Sequence, residues 1–228
     1  MIKLLSEDTI QKIAAGEVIE RPVSVIKELV ENSIDAGSDT IVVEIKNGGK
    51  DFISVSDNGS GIEKNEIELA FKRHSTSKLE KFDDLYDIRT LGFRGEALAS
   101  ILAVSKLSVS TRTKSEKIGK KVEFRNSKVI SESDVAMNVG TKIVIKDLFY
   151  NVPVSKKFMK TDQTEANLIT TTMYKFAICN TDVSIKYIKD NKTLFETKKN
   201  SSIRENIINL FGTSMSNNLL DIDINSRD

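Results

Sequence analysis

Lys27-Glu28-Leu29-Val30-Glu31-Asn32-Ser33-Ile34-Asp35-Ala36-Gly37 is the stretch that gives the rest of this 228-residue sequence its meaning. From Pro22 onward, Ile26, Leu29, Val30 and Ile34 recur at helical spacing, with Pro22 near the start and Gly37 just past the end. That spacing predicts an amphipathic helix. Glu28, Asn32 and Asp35 stand at i, i+4 and i+7 and so share one polar face, opposite the apolar stripe. A solvated acidic face reads the same way, so its neighbours must decide.

Downstream, Thr40 to Lys46 places Ile41, Val43 and Ile45 on one face, Asn47-Gly48-Gly49 turns the chain, and Phe52 to Ser56 returns as a second strand. That strand runs into Asp57-Asn58-Gly59-Ser60-Gly61, a short acid with two glycines where the backbone must come close to something. After a helix expected at about 64–72, Gly92-Phe93-Arg94-Gly95-Glu96 precedes another helix striped by Ala97, Leu98, Ile101 and Leu102. A glycine-bearing loop at a helix start offers free N–H groups to phosphate. Gly140-Thr141 then enters a strand. Each feature is common alone; the four in this order are rare.

Alternation predicts strands at Leu107–Thr111, Val122–Phe124, Val129–Ser131 and Ile143–Ile145, expected as a meander. Glu165 to Cys179 returns to helical spacing, and Val183–Tyr187 with Thr193–Phe195 forms a hairpin around Asp190-Asn191. Ser202 and Glu205 make a capping box before a helix that Gly212 ends. We therefore expect an arm at residues 1–20, a main domain at 21–200 and a new unit starting at 201. Leu219–Ile224 resembles a strand, and the sequence stops at Asp228 with nothing for it to pair against, so that second unit is expected to be incomplete.

The 34 basic and 33 acidic residues nearly cancel, so any attraction to nucleic acid must be local. Arg112 to Lys128 is the basic candidate, though a solvated hairpin explains it equally well. One cysteine, Cys179, and one histidine, His74, exclude a disulfide framework and a His/Cys metal cage, so any metal is held by oxygen. The N-terminus lacks the apolar core of a signal peptide, and no segment stays apolar for about 18 residues. We expect a soluble, reducing, cytoplasmic setting and no membrane partner.

Glu28-x-x-x-Asn32, Asp57-x-Gly59-x-Gly61 and Gly92-Phe93-Arg94-Gly95-Glu96-Ala97-Leu98 together resemble the GHKL ATPase superfamily of gyrase, heat-shock chaperones, histidine kinases and MutL. Within it the wording is closest to the MutL mismatch-repair family, through Ile13 to Pro22, Arg73-His74-Ser75-Thr76-Ser77-Lys78, and Asp147-Leu148-Phe149-Tyr150-Asn151-Val152-Pro153. These motifs span about residues 10–165.

The resemblance implies an α/β two-layer sandwich, a mixed and largely antiparallel sheet covered by helices on one face, followed by the start of a second domain like ribosomal S5 domain 2. It makes Glu28 the general base that activates water and Asn32 the Mg²⁺ ligand. Asp35 and Ala36 would join the ATP contacts, Asp57 would accept from the adenine amino group, and Gly59 and Gly61 would let backbone lie against the base. Leu91, Gly92, Phe93, Arg94, Gly95, Glu96, Ala97 and Leu98 would form a lid over the triphosphate, with Thr76, Lys78 and Thr141 as secondary contacts. His74 is read as a local hydrogen-bonding residue.

Implied cofactors are ATP and Mg²⁺. Implied partners are a MutS-type mismatch recognition protein, a downstream nuclease or helicase, DNA bound weakly and without sequence preference, and a second copy paired by ATP. The family's γ-phosphate lysine would lie beyond Asp228, so hydrolysis by this chain is expected to be weak. The alternative is a nucleotide-responsive interaction module with little chemistry.

Overall fold

A computed structural model describes residues 6–73, 75, 95–216, 218 and 219. In chain order the elements are α1 (Glu7–Val18), α2 (Pro22–Asp35), β1 (Thr40–Lys46), β2 (Phe52–Asp57), α3 (Ile67–Ala70), α4 (Ala97–Ala103), β3 (Lys106–Arg112), β4 (Gly119–Arg125), β5 (Lys128–Val135), β6 (Gly140–Lys146), α5 (Pro153–Phe158), α6 (Asp162–Cys179), β7 (Ser184–Lys189), β8 (Lys192–Glu196), α7 (Ile203–Phe211) and α8 (Thr213–Ser216). The strands form one open sheet in the order β5-β4-β3-β6-β2-β1-β7-β8. Among the described strands only β1 and β7 run parallel; every other pair is antiparallel, giving the mixed sheet expected.

The meander is corrected. β3, β4 and β5 follow one another as hairpins, but β6 returns across them to sit between β3 and β2. Burial explains the choice. Ile143 and Ile145 of β6 need neighbours on both sides, whereas Ser131-Glu132-Ser133-Asp134 of β5 is exposed and suits an edge. The helix expected at 64–72 shrinks to Ile67–Ala70, because only Ile67 and Phe71 there reach the core.

One face of the sheet carries the core. Ile41, Val43, Ile45, Ile53, Val55, Leu107, Val109, Val122, Phe124, Ile143, Ile145, Ile185 and Tyr187 alternate along their strands and are buried. Against them lie Val25, Ile26, Leu29 and Val30 of α2 and Ala166, Ile169, Met173 and Ala177 of α6. The β7–β8 turn falls on Asp190 and Asn191, both with positive φ (49° and 65°), the backbone a two-residue hairpin of this twist requires.

The capping box of Ser202 and Glu205 is present, and α7 docks on α6 and β8. Asn206 is buried at 1% exposure, donates to Ala177 O at 2.8 Å and accepts from Ser201 Oγ at 2.7 Å, while Asn209 donates to Glu196 O at 2.7 Å. We expect Asn206→Ala to lower unfolding stability by about 1–3 kcal/mol, the cost of stranding buried partners. Urea denaturation measures it, and an unchanged midpoint would show that α7 does not fold with α6. The strand expected at Leu219–Ile224 falls outside the described residues except at its first position.

Candidate functional site

The polar face of α2 is real: Glu28, Asn32 and Asp35 are each half-buried, beside the fully buried Leu29 and Val30. The two acids nearest Asn32 differ in circumstance. Glu31 pairs with Lys27 at 3.8 Å, one helical turn away, whereas Glu28 makes no hydrogen bond or ion pair among the described residues. A carboxylate left uncommitted on a half-buried face is available to water or ligand.

Asp57 ends β2 and is held from three directions. Its Oδ1 accepts from Gly59 N at 2.9 Å and from Thr141 N at 3.2 Å, and its Oδ2 lies 3.0 Å from Ser33 Oγ. Thus Thr141 reaches the site through its backbone N–H. Asn58 fixes the loop laterally, accepting at Oδ1 from Asp39 N and Thr40 N, both at 3.0 Å.

The two glycines of this loop answer to the protein's own backbone. A Cβ on Gly59 would fall 2.8 Å from Ala36 O and 2.9 Å from Ser38 Oγ, against the end of α2. Gly61 has φ +77°, and a Cβ there would strike the carbonyl of Arg112 at the end of β3. Close packing of α2, β2 and β3 therefore demands glycine before any ligand is considered.

Burial raises the Asp57 pKa above the ordinary carboxylate value, opposed by the hydrogen bonds from Gly59, Ser33, Thr141 and Ser38. A raised folded value means that Asp57 adds stability below the unfolded Asp pKa of about 4 and that this is lost as pH rises through the folded value. The unfolding free energy of the wild type minus that of Asp57→Asn should therefore fall as pH is raised from about 4 across that window. Denaturant titrations at stepped pH check the sign; a rising difference would contradict it.

Two residues missed in the sequence belong here. Ser33, 4% exposed, and Thr111, fully buried, occupy positions where the helical stripe and the strand alternation call for apolar side chains. Thr111 Oγ1 accepts from Ile62 N at 2.8 Å and lies 3.1 Å from Gly140 O and 3.2 Å from Thr141 Oγ1, tying the glycine loop to β6. A polar residue in an apolar register was the signal available.

Of the remaining expected residues, Ala36 packs against Gly59, and Gly95 (φ +62°) lies against Ser75, whose carbonyl oxygen would be 2.7 Å from a Cβ. Glu96 precedes α4, and Ala97 and Leu98 form its first turn. Thr76, Lys78, Leu91, Gly92, Phe93, Arg94 and His74 lie outside the described residues. Among the described residues no group of three or more His, Cys, Asp or Glu could hold a metal ion. An ion held mostly by phosphate and water, with Asn32 as one hard oxygen ligand, suits that donor set. Two surface hollows, of about 290 Å³ beside Phe71 and Phe124 and about 390 Å³ beside Arg21 and Phe158, are lined by none of these residues.

Comparison with known proteins places this geometry. Residues 20–150 match the family model for histidine kinase-, DNA gyrase B- and HSP90-like ATPases. The DNA mismatch repair protein MutL of Agathobacter rectalis is 48% identical over 221 residues, covering 97% of this chain and 34% of that protein. MutL of Caldanaerobacter subterraneus subsp. tengcongensis is 45% identical over 227 residues, covering 100% of this chain and 38% of that protein. The chain thus spans about a third of the length of these curated relatives, and the similarity runs well past the motifs ending near residue 165.

Among solved structures, the Aquifex aeolicus MutL ATPase domain complexed with ADP is 34% identical with a TM-score of 0.72, over 86% of this chain and 70% of that one. The N-terminal domain of a DNA repair protein is 34% identical with a TM-score of 0.76, over 90% of this chain and 61% of that one. With its open eight-stranded sheet and the Glu28/Asn32 helix packed on the Asp57 loop, the chain belongs to the MutL family of histidine kinase-, gyrase B- and HSP90-like (GHKL) ATPases.

Proposed function

We propose that this chain binds ATP with Mg²⁺ and hydrolyses it, as the nucleotide-responsive part of a MutL-type mismatch-repair protein. The observation that carries this is one carboxylate fixed by donors from three elements, Asp57, beside a helix presenting the uncommitted Glu28 one turn from Asn32. The ADP complex of the Aquifex aeolicus domain supports nucleotide as the ligand.

In this reading Asp57 accepts from the adenine amino group, a donor that suits an oxygen with lone pairs left over. Glu28 takes the proton of the attacking water, and its lack of a partner leaves it free to do so. Asn32 would hold Mg²⁺ through its side-chain oxygen, and the ion would supply positive charge to offset that of the phosphates. Asp35 and Ala36 line the same side, with Gly59, Gly61 and Thr141 opposite. Residues 91–98 close over the triphosphate, aided by Thr76 and Lys78, and ordering by the γ-phosphate makes nucleotide a switch.

Residues 1–20 act as an arm, 21–200 as the ATP-binding domain and 201–228 as the start of the next, with α7 at the junction. Closure pairs two copies and recruits a MutS-type protein and a downstream nuclease or helicase, in the cytoplasm. Calorimetric titration with ADP and Mg²⁺ tests the reading; absence of binding by the folded chain would refute it.

DNA contact, if carried by Arg112–Lys128, has few charges to spend. Lys120 pairs with Glu132 and Lys121 with Glu123, each at 2.5 Å, leaving three lysines, Lys114, Lys117 and Lys128, as well as Arg112 and Arg125, without ion pairs among the described residues. Replacing those three by Ala should reduce the salt dependence of duplex binding by about 0.9 in log–log slope per lost phosphate contact. An unchanged slope removes this stretch from the DNA surface.

A further inference from the structure

Ser33 sits on α2 directly after Asn32, 4% exposed, with its Oγ 3.0 Å from Asp57 Oδ2 and 3.0 Å from Leu29 O. A serine hydroxyl has one proton, so it serves one of these acceptors at a time. Within a helix the bond back to the carbonyl four residues earlier is always on offer, and an ionised Asp57 competes for the proton more strongly than a neutral one. The other carboxylate oxygen is already committed to two backbone donors, Gly59 N and Thr141 N.

We propose that Ser33 is a positioning residue for purine selection, holding Asp57 as an acceptor so that the site takes a 6-amino purine and rejects a 6-oxo one. The inference rests on Asp57 as the acceptor for the adenine amino group. A 6-amino group donates, and a carboxylate oriented by Ser33, Gly59 and Thr141 receives it. A 6-oxo purine presents an acceptor instead, and binds only if Asp57 carries a proton and donates it. With its proton directed at Asp57 Oδ2, Ser33 disfavours that protonated arrangement, because donor would then face donor. Rotated toward Leu29 O, the same hydroxyl would tolerate it. Base identity is in this way felt on the helix that carries Glu28 and Asn32, one residue from the latter.

The test compares ADP with inosine diphosphate, which changes the purine 6-position from amino to oxo, by calorimetric titration of the folded chain with Mg²⁺. Ser33→Ala should weaken ADP by about tenfold, the scale of one hydrogen bond to a charged group, and leave inosine diphosphate within about twofold, so that the ADP preference shrinks about tenfold. The ratio is the readout because general loosening of the fold would lower both affinities together. Equal losses for the two nucleotides, or an unchanged ADP affinity, overturn the role of Ser33. Asp57→Asn run alongside separates the two levels. If its preference for ADP collapses while that of Ser33→Ala does not, only the serine assignment falls; if Asp57→Asn keeps the full preference, the base reading falls as well.

Discussion

Glu28→Ala, made in a full-length protein carrying this domain, should lower ATP turnover by about 10²–10⁴-fold, the usual contribution of a positioned general base. Nucleotide affinity should stay within about threefold of the wild type, since no bound group depends on this carboxylate in the proposed arrangement. The expectation follows from a contrast within one helical turn. Glu31 is already paired with Lys27, but Glu28 has no partner among the described residues and faces the same side as Asn32. Single-turnover hydrolysis with parallel equilibrium binding checks both halves. Retained turnover would transfer the base role elsewhere and favour an interaction module, in which chemistry is incidental. Loss of binding together with turnover would make Glu28 a structural residue.

Asp57→Ala should act on both stability and binding. Removing the carboxylate strands Gly59 N and Thr141 N at a part-buried junction of α2, β2 and β6, while the Ser33 hydroxyl turns to Leu29 O. Stranded buried donors cost about 1–3 kcal/mol each, partly offset because an acid whose burial disfavours its charge is also removed. A net loss of about 2–4 kcal/mol is expected, with ADP affinity falling at least about 100-fold in the fraction that remains folded. Urea denaturation and calorimetry measure the two effects separately. A variant as stable as the wild type that still bound ADP would mean that the hydrogen bonds around Asp57 neither hold the loop nor face the base.

The motif residues were legible because each is required by local physics as well as by chemistry. Pro22 and the Ile26/Leu29/Val30 stripe start and orient α2, and Gly59 and Gly61 permit the backbone approaches to Ala36 and Arg112. The sheet was harder to read. Hairpins are visible from turn residues, but the return of β6 to a place between β3 and β2 depends on which strand the core can leave exposed, a tertiary decision that no local pattern records. Ser33 and Thr111 escaped notice for the opposite reason. Each is a common residue whose meaning comes only from the element across from it, Asp57 for the first and Gly140 for the second. Glycine, too, was expected to make room for a flat base, whereas its first service is to the protein's own packing.

In the proposed function, nucleotide binds between α2 and the Asp57 loop. Hydrogen–deuterium exchange with and without a non-hydrolysable ATP analogue and Mg²⁺ tests it most directly. Slowed exchange is expected at residues 28–37, 57–62, 95–98 and 140–141, with the edge strand β5 unchanged. Unaltered exchange at 57–62, or protection centred instead on the hollow beside Phe71 and Phe124, would contradict it.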